Sequence, residues 1–385
     1  MKIMGYVRPD GRAGIRNHIV VIPSSVCAGE VAMRIASHVE GAVALPNQHG
    51  CCQVGADLDL VTHTLIGLGK NPNVAAVLVV GLGCEGVPTK KVAGEIATTG
   101  KRVECITIQD CGGTLKAEEI GTRIARQMAQ EAALLKREEV DMADLILAVE
   151  CGGSDTTSGL AANPVAGYVL DKLIELGGTS MFSETTEIIG AEHLLAKRAV
   201  SREVADKLLT FVRRCEEKAK TMGVDMRGGQ PTPGNIEGGI STIEEKSLGC
   251  IYKGGTKPVQ GVLDYAESPA GKGLYIMDTP GQDIESITGM TAGGAQLVIF
   301  TTGRGTPTGS PIAPVLKITA NPDTYKKMED NIDFNAGTIV EGDETVREAG
   351  ERLFQELVEV CNGKLTKAEV LKHREFGMYK LISTF

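Results

Sequence analysis

The 385-residue sequence predicts an α/β protein: two Rossmann-like domains with largely parallel sheets and an active site at the carboxyl ends of the strands. Three observations carry this. Short apolar runs rich in branched residues alternate with helical patterns along most of the chain. The length exceeds what one ordinary core fills, and the long helical segment ending near residue 136 divides it into domains at 1–136 and 137–385. Finally, 48 glycines against no Trp suit many tight loops between compact elements.

The first segment, residues 5–17, is rich in Gly and Arg. Pro9, Gly11 and Gly14 argue against a helix there. It reads as an arm whose exposed guanidinium groups at Arg8, Arg12 and Arg16 suit a carboxylate or a neighbouring subunit, or as a solvated lead-in. A strand at 18–23, a helix at 29–39 and a strand at 42–46 then lead into His49-Gly50-Cys51-Cys52. A helix at 57–68 precedes the strongly apolar strand 74–81, which runs into Gly83-Cys84-Glu85. After a helix at 89–98, a strand at 103–109 ends in Asp110-Cys111, and a helix over 114–136 closes the domain.

The second domain opens with the buried strand 145–149 and the loop Glu150-Cys151-Gly152-Gly153-Ser154-Asp155-Thr156-Thr157-Ser158-Gly159. Glycines there let backbone N–H groups approach a ligand, and a helix start favours negative charge. An ordinary capped strand-to-helix turn is the alternative. The helical pattern that follows, to residue 176, is interrupted by Asn163-Pro164. A strand at 179–182 feeds Ser183-Glu184-Thr185-Thr186-Glu187, and helices fill 190–222 with a break near Ser201. Residues 223–239 have turn composition, and a short helix at 241–249 carries Lys246. Strands at 273–277, 296–300 and 315–319 precede amphipathic helices at 345–361 and 366–376.

A formal charge of −9 argues against a nucleic-acid partner. With neither a signal-like N-terminus nor an apolar run of about 18 residues, the expected location is the cytoplasm, off the membrane. Ten cysteines in such a chain read as reduced, metal-binding or catalytic rather than disulfide-bonded. The loops bearing Cys52, Cys84 and Cys151 each follow a strand. Their three thiolates could ligate a soft metal or an iron–sulfur cluster with one iron open to substrate, or some could be plain buried thiols. Cys111 is a fourth candidate; Cys27, Cys105, Cys215, Cys250 and Cys361 fall in helix- or strand-like patterns and read as structural. His49 suits metal ligation or proton transfer. Residues 302–309 lack the Gly-Lys-Ser/Thr ending of a phosphate loop, so Arg304 is better suited to clamping a carboxylate.

The chain resembles the large domain of the altronate/galactarate dehydratase family. The resemblance rests on Arg8-Pro9-Asp10-Gly11-Arg12, Arg16-Asn17, Gly83-Cys84-Glu85, Cys151-Gly152-Gly153-Ser154-Asp155, Ala162-Asn163-Pro164 and Glu184-Thr185-Thr186-Glu187. It continues through Thr242-Ile243-Glu244-Glu245-Lys246-Ser247-Leu248-Gly249, Met277-Asp278-Thr279-Pro280-Gly281 and Thr301-Thr302-Gly303-Arg304-Gly305. This implies a metal-dependent lyase, using Fe2+, an iron–sulfur cluster or another divalent metal, acting on a hydroxylated carboxylic acid. Single-chain dehydratases of the family carry a small domain ahead of this match. The resemblance therefore implies a separately encoded small subunit and an oligomeric enzyme. The expected reaction is dehydration of a sugar acid such as altronate or galactarate by β-elimination. Metal binding is assigned to Cys52, Cys84 and Cys151, substrate holding to Ser154, Asp155, Thr156, Arg304 and Arg16, and acid–base work to Lys246, Glu184 and His49. Two alternatives stand beside it: the large subunit of a C–S lyase releasing sulfite from sulfolactate, and a sugar-acid-binding subunit without turnover.

Overall fold

The computed structural model describes residues 1–382. Fourteen strands run in chain order: β1 (Lys2–Val7), β2 (Ala13–Gly14), β3 (His18–Pro23), β4 (Ala42–Ala44), β5 (Val74–Gly81), β6 (Arg102–Thr107), β7 (Glu138–Asp141), β8 (Ile146–Gly152), β9 (Thr179–Phe182), β10 (Val259–Leu263), β11 (Gly273–Met277), β12 (Leu297–Thr302), β13 (Val315–Thr319) and β14 (Phe334–Asn335). They build a parallel four-stranded sheet in the order β4-β3-β5-β6 and a parallel seven-stranded sheet in the order β10-β11-β9-β8-β12-β13-β14. The α/β reading of two largely parallel sheets is what the chain adopts.

Both sheets are covered on both faces, which explains why their strands are continuous apolar runs. Successive residues of β8 point to opposite faces. Leu147 and Val149 join the cluster with helix Asn163–Glu175 and helix Val346–Cys361, while Ala148 joins Val298, Phe300 and Met290 on the other face. In the smaller sheet Val20 and Ile22 alternate with Ile19 and Val21 in the same way.

Each sheet reverses its winding direction once. From β3 the chain adds β4 on one side and then β5 on the other; from β8 it adds β9, β10 and β11 on one side, then β12 on the other. The crevices beyond the carboxyl ends of β3/β5 and β8/β12 are therefore the two places where ligands are expected. The sheets are joined through packed helices: a Cβ at Gly67 in helix Gly55–Lys70 would stand 2.4 Å from the Ala292 carbonyl oxygen of helix Asp283–Ala292. Asn71 and Asn73 complete the junction by donating to carbonyls of Thr291, Ala295, Gln296 and Ile312.

Three local expectations change. Residues 5–17 are no exposed arm: β1 and β2 form an antiparallel sheet with β7, and the Arg8 and Arg16 guanidinium groups are buried. Asn163-Pro164 does not interrupt a helix; the proline occupies the first turn, where its missing N–H costs nothing, after one π-helical turn at Ser158–Ala162. The final helix is only Lys367–Val370, and residues 376–381 run back to the first sheet, where His49 Nε2 meets the Met378 carbonyl at 3.1 Å and Leu381 N donates to Asp57. Among the described residues no helix is long and apolar enough to cross a membrane.

Candidate active site

The β8/β12 crevice holds a buried ionic network. β8 delivers Glu150 and Cys151 at its carboxyl end, and the turn after β9 delivers Glu184 and Glu187. Helix Ile243–Cys250 and the 3-10 turn Ile251–Gly254 supply Lys246, Cys250 and Lys253, a face with spacing i, i+4, i+7. Lys253, 1% exposed, is the hub. Its Nζ donates to Glu184 Oε2 at 2.6 Å, to Glu187 Oε2 at 2.9 Å and to Cys151 Sγ at 3.1 Å. Lys246 Nζ sits 2.8 Å from Glu187 Oε1 and donates to Gln230. The Cys151 thiol donates to Glu187 at 2.6 Å and lies 3.6 Å from Cys250 Sγ.

Charges here are far from their ordinary titration ranges. Burial would raise the Glu187 carboxyl, but the two lysines outweigh it and hold the group well below the usual carboxylate range. Burial, and then the charge of Glu187, pushes Glu184 up to about 8. Glu184 also holds a left-handed φ of 73°, strain a non-glycine residue tolerates only where its surroundings fix it. The Cys151 thiol is pushed up by Cys250 and by burial, so it is a thiol and not a thiolate.

Beside this network lies a second acidic group. Glu150, Glu184 and Asp283 offer carboxylate oxygens all within 4.8 Å of one another. Glu150 is fully buried; its Oε2 accepts from Ser286 at 2.6 Å and Ser183 at 3.3 Å, whereas Oε1 has no partner. An orphaned buried carboxylate oxygen is costly, and burial followed by the Glu184 charge drives this carboxyl well above its ordinary pKa. Asp283 is raised to about 6 by burial and by Glu187. Gly152 makes room for it: a Cβ there would stand 2.6 Å from the Asp283 carboxylate. The donor set is hard oxygen, which fits a divalent cation such as Fe2+, Mn2+ or Mg2+. The set Cys151, Glu187 and Cys250 is also compact, but the Lys253 ammonium already binds two of its three members, so it does not fit a metal.

A cavity of about 300 Å³ adjoins the network, lined by Ser154, Asp155, Thr156, Lys246 and Cys250 among others. Ser154 is buried there with Oγ 3.8 Å from Cys151 Sγ. The Asp155 carboxylate is spent on structure, accepting from Thr157, Ser158 and Asn321. Thr156 is exposed, its N–H bound to the Gly238 carbonyl. Arg304 does not line this cavity; it is paired with Glu237 at 2.7 Å and packed against Gly153.

Other expected members lie elsewhere. All five Arg16 N–H donors are used, on Glu369 and on the carbonyls of Ile15, Val360 and Lys364, so Arg16 ties the two domains together and has no donor left for a substrate. Cys52 and Cys84 are exposed on loops of the first sheet, and with Cys151 they make no compact ligand set among the described residues. Three thiols do not converge because Cys151 ends a strand of the other sheet. His49 lies against the C-terminal segment. Lys253, Glu150, Asp283 and Cys250 were not anticipated. The 246/250/253 spacing was a readable signal; nothing in the sequence marks Asp283.

Comparison with known proteins places the chain in a family. Residues 142–384 match the family described as D-galactarate/Altronate dehydratase, C-terminal, and residues 5–133 match D-galactarate dehydratase/Altronate hydrolase, second domain. The chain is 43% identical over 382 residues to the (2R)-sulfolactate sulfo-lyase subunit beta of Chromohalobacter salexigens, covering 98% of this chain and 97% of that one. It is 33% identical to the altronate dehydratase of Bacillus subtilis over 98% of this chain and 77% of that protein. It is 37% identical to the galactarate dehydratase (L-threo-forming) of Escherichia coli over 78% of this chain and 59% of that protein. The chain belongs to the galactarate/altronate dehydratase family.

Proposed function

We propose that this lyase performs β-elimination on a small 2-hydroxy carboxylate in the β8/β12 crevice, with sulfite leaving from a sulfolactate-like substrate. The observation that carries the site is the Lys253-centred network with Glu184 tuned to about 8 beside the orphaned Glu150 oxygen. The leaving group is argued from similarity: the correspondence at 43% extends over nearly the whole of both chains, whereas the dehydratases reach 33% and 37% over part of their length. Dehydration of a sugar acid is the second reading, favoured by the match of both family segments to dehydratases.

In sulfolactate the α-proton leaves C2, the C3–S bond breaks with its electron pair going to sulfite, and the enol product ketonises to pyruvate. Glu184 is the best-tuned acceptor for that proton, since a carboxylate with a pKa near neutral both takes and releases it. Lys246 faces the cavity and is held protonated by Glu187, after burial alone would have lowered it, so it holds an anionic group or donates a proton and is not the base. Lys253 fixes Glu184 and Glu187 and keeps their charges apart. Ser154 offers a hydroxyl to the substrate, while Arg304, outside the cavity lining, would first have to leave Glu237 to meet a carboxylate. Glu150 and Asp283 would hold a divalent cation beside Glu184, which when bound supplies Lewis-acid polarisation of the substrate carboxylate.

A separately encoded small subunit, an oligomeric enzyme and a cytoplasmic location belong to the same proposal; the name of one relative as a subunit beta supports the first. The test is to assay the chain, alone and with a candidate small subunit, under anaerobic conditions with Fe2+, for sulfite release from (2R)-sulfolactate and for dehydration of altronate and galactarate. Sulfite release supports the first reading, dehydration the second, and no turnover of any substrate points to a binding subunit.

A further inference from the structure

The buried network holds one pair of groups that the elimination does not use. Cys151, near the end of β8, and Cys250, the last residue of helix Ile243–Cys250, are 99 residues apart in the chain, and their sulphurs lie 3.6 Å from each other. Both are buried but within reach of a small molecule. Cys250 lines the cavity of about 300 Å³, and Ser154, which also lines it, has its Oγ 3.8 Å from Cys151 Sγ. The other close pair, Cys51 and Cys52 at 3.9 Å, is poorly placed for a bond. Neighbouring Cα atoms are about 3.8 Å apart across a trans peptide, below the roughly 4.4–6.8 Å that disulfides span. Cys151 and Cys250 come from separate elements and are free of that restriction. Their sulphurs need only close from 3.6 Å to about 2.05 Å, a movement on the scale of a side-chain rotation.

We infer that Cys151 and Cys250 are a peroxide-reactive thiol pair that closes to a disulfide across the floor of the cavity. Cys250 Sγ, the cavity-facing sulphur, attacks one oxygen of the peroxide; the O–O bond breaks, leaving a sulfenic acid on Cys250 and one water. Cys151 Sγ then attacks that sulphur, the S–O bond breaks, and the Cys151 proton leaves with the hydroxyl as a second water. Two thiols are oxidised and one peroxide is reduced. A dithiol such as dithiothreitol reverses the change and becomes a disulfide in its turn. The site would feel the bond, because Cys151 donates to Glu187 at 2.6 Å and Cys250 follows Lys246 by one helical turn. A disulfide removes the proton that Glu187 accepts and draws the Lys246-bearing helix towards β8. The bond itself does not depend on the lyase reading; the loss of turnover expected from it does.

The experiment treats the reduced full chain with hydrogen peroxide, alkylates the remaining thiols after unfolding, and maps the peptides by mass spectrometry. The expected result is a cross-link between the Cys151 and Cys250 peptides that dithiothreitol removes, while Cys361, buried and outside the cavity lining, stays alkylatable. With a dimedone probe present, Cys151→Ser should be labelled at Cys250, whereas Cys250→Ser should keep Cys151 as a thiol. If either variant fails to fold, the wild-type map decides. No cross-link, a bond between Cys51 and Cys52 in its place, or irreversible oxidation of Cys250 would overturn the inference. Where the reduced chain turns over any of the three substrates, the cross-linked form should lose about 10²-fold, the scale of a misplacement near 1 Å, and regain it with dithiothreitol. Full turnover by the cross-linked protein would contradict the effect on the site; a cross-link in a chain without turnover would keep the thiol pair and count against the lyase reading.

Discussion

Two carboxylates occupy corresponding places in the two crevices and are treated in opposite ways. Glu85, in the loop after β5, is half-exposed and fully satisfied. Burial tends to raise it, but the Thr89 hydroxyl at 2.6 Å, the Gly83 N–H at 2.6 Å and the Ser24 hydroxyl at 2.9 Å bring it down to about 2. Glu150, at the end of β8, is sealed from water with one oxygen unpaired and is driven upward. A satisfied carboxylate braces a loop; an unsatisfied one waits for a proton or a cation. The difference supports the β8/β12 crevice as the place of the proposed acid–base chemistry.

The largest expected effect is on turnover. Glu184→Gln removes the proposed proton acceptor and should lower kcat by about 10²–10⁴-fold, whereas Glu85→Gln should leave kcat within severalfold; comparable losses in steady-state assays of the two would erase the distinction. Next comes Lys253→Met. It leaves Glu184 and Glu187 buried without their shared cation and should cost about 3–5 kcal/mol of unfolding free energy. Adding Glu184→Gln should restore part of that, and urea titrations of the single and double variants read it directly.

Glu150→Gln should be smaller and opposite in sign. Because burial raises the folded carboxyl above its unfolded value near 4.5, its stability contribution is fully present at low pH and is lost as pH rises through the folded pKa. The amide imitates the protonated acid, so the cation-free variant should match or exceed the wild type above pH 7. It should also lose most of any melting-temperature increase produced by Mn2+ or Fe2+. Glu85→Gln is the smallest change, about 1–2 kcal/mol from weakened hydrogen bonds. Since Glu85 is lowered in the fold, its contribution is present above about pH 4.5 and fades as pH falls towards 2. Denaturation midpoints of wild type and variant should therefore differ at pH 7 and converge near pH 2.

The sheets were legible because strands buried on both faces leave continuous apolar runs, as in β5 and β8. Cys151, beside Gly152 at the end of β8, and Glu184, just after β9, stood out by their place in the pattern, and Lys246 by its short helix; the structure brings all three into one network. Convergence was not. Cys52, Cys84 and Cys151 share a local pattern, but pattern does not report which sheet a strand joins, and the thiols belong to different crevices. Arg16 misled for a related reason: a guanidinium in a glycine-rich stretch looks exposed until a distant segment, here Val360 to Glu369, folds over it. Asp283 reaches the site only because Gly152 lacks a side chain.

The most direct test of the central claim is sulfite release from (2R)-sulfolactate by the anaerobically prepared protein with its candidate small subunit, wild type against Glu184→Gln. The account predicts sulfite and pyruvate in equal amounts from the wild type and almost none from the variant. Equal rates from the two proteins would contradict it.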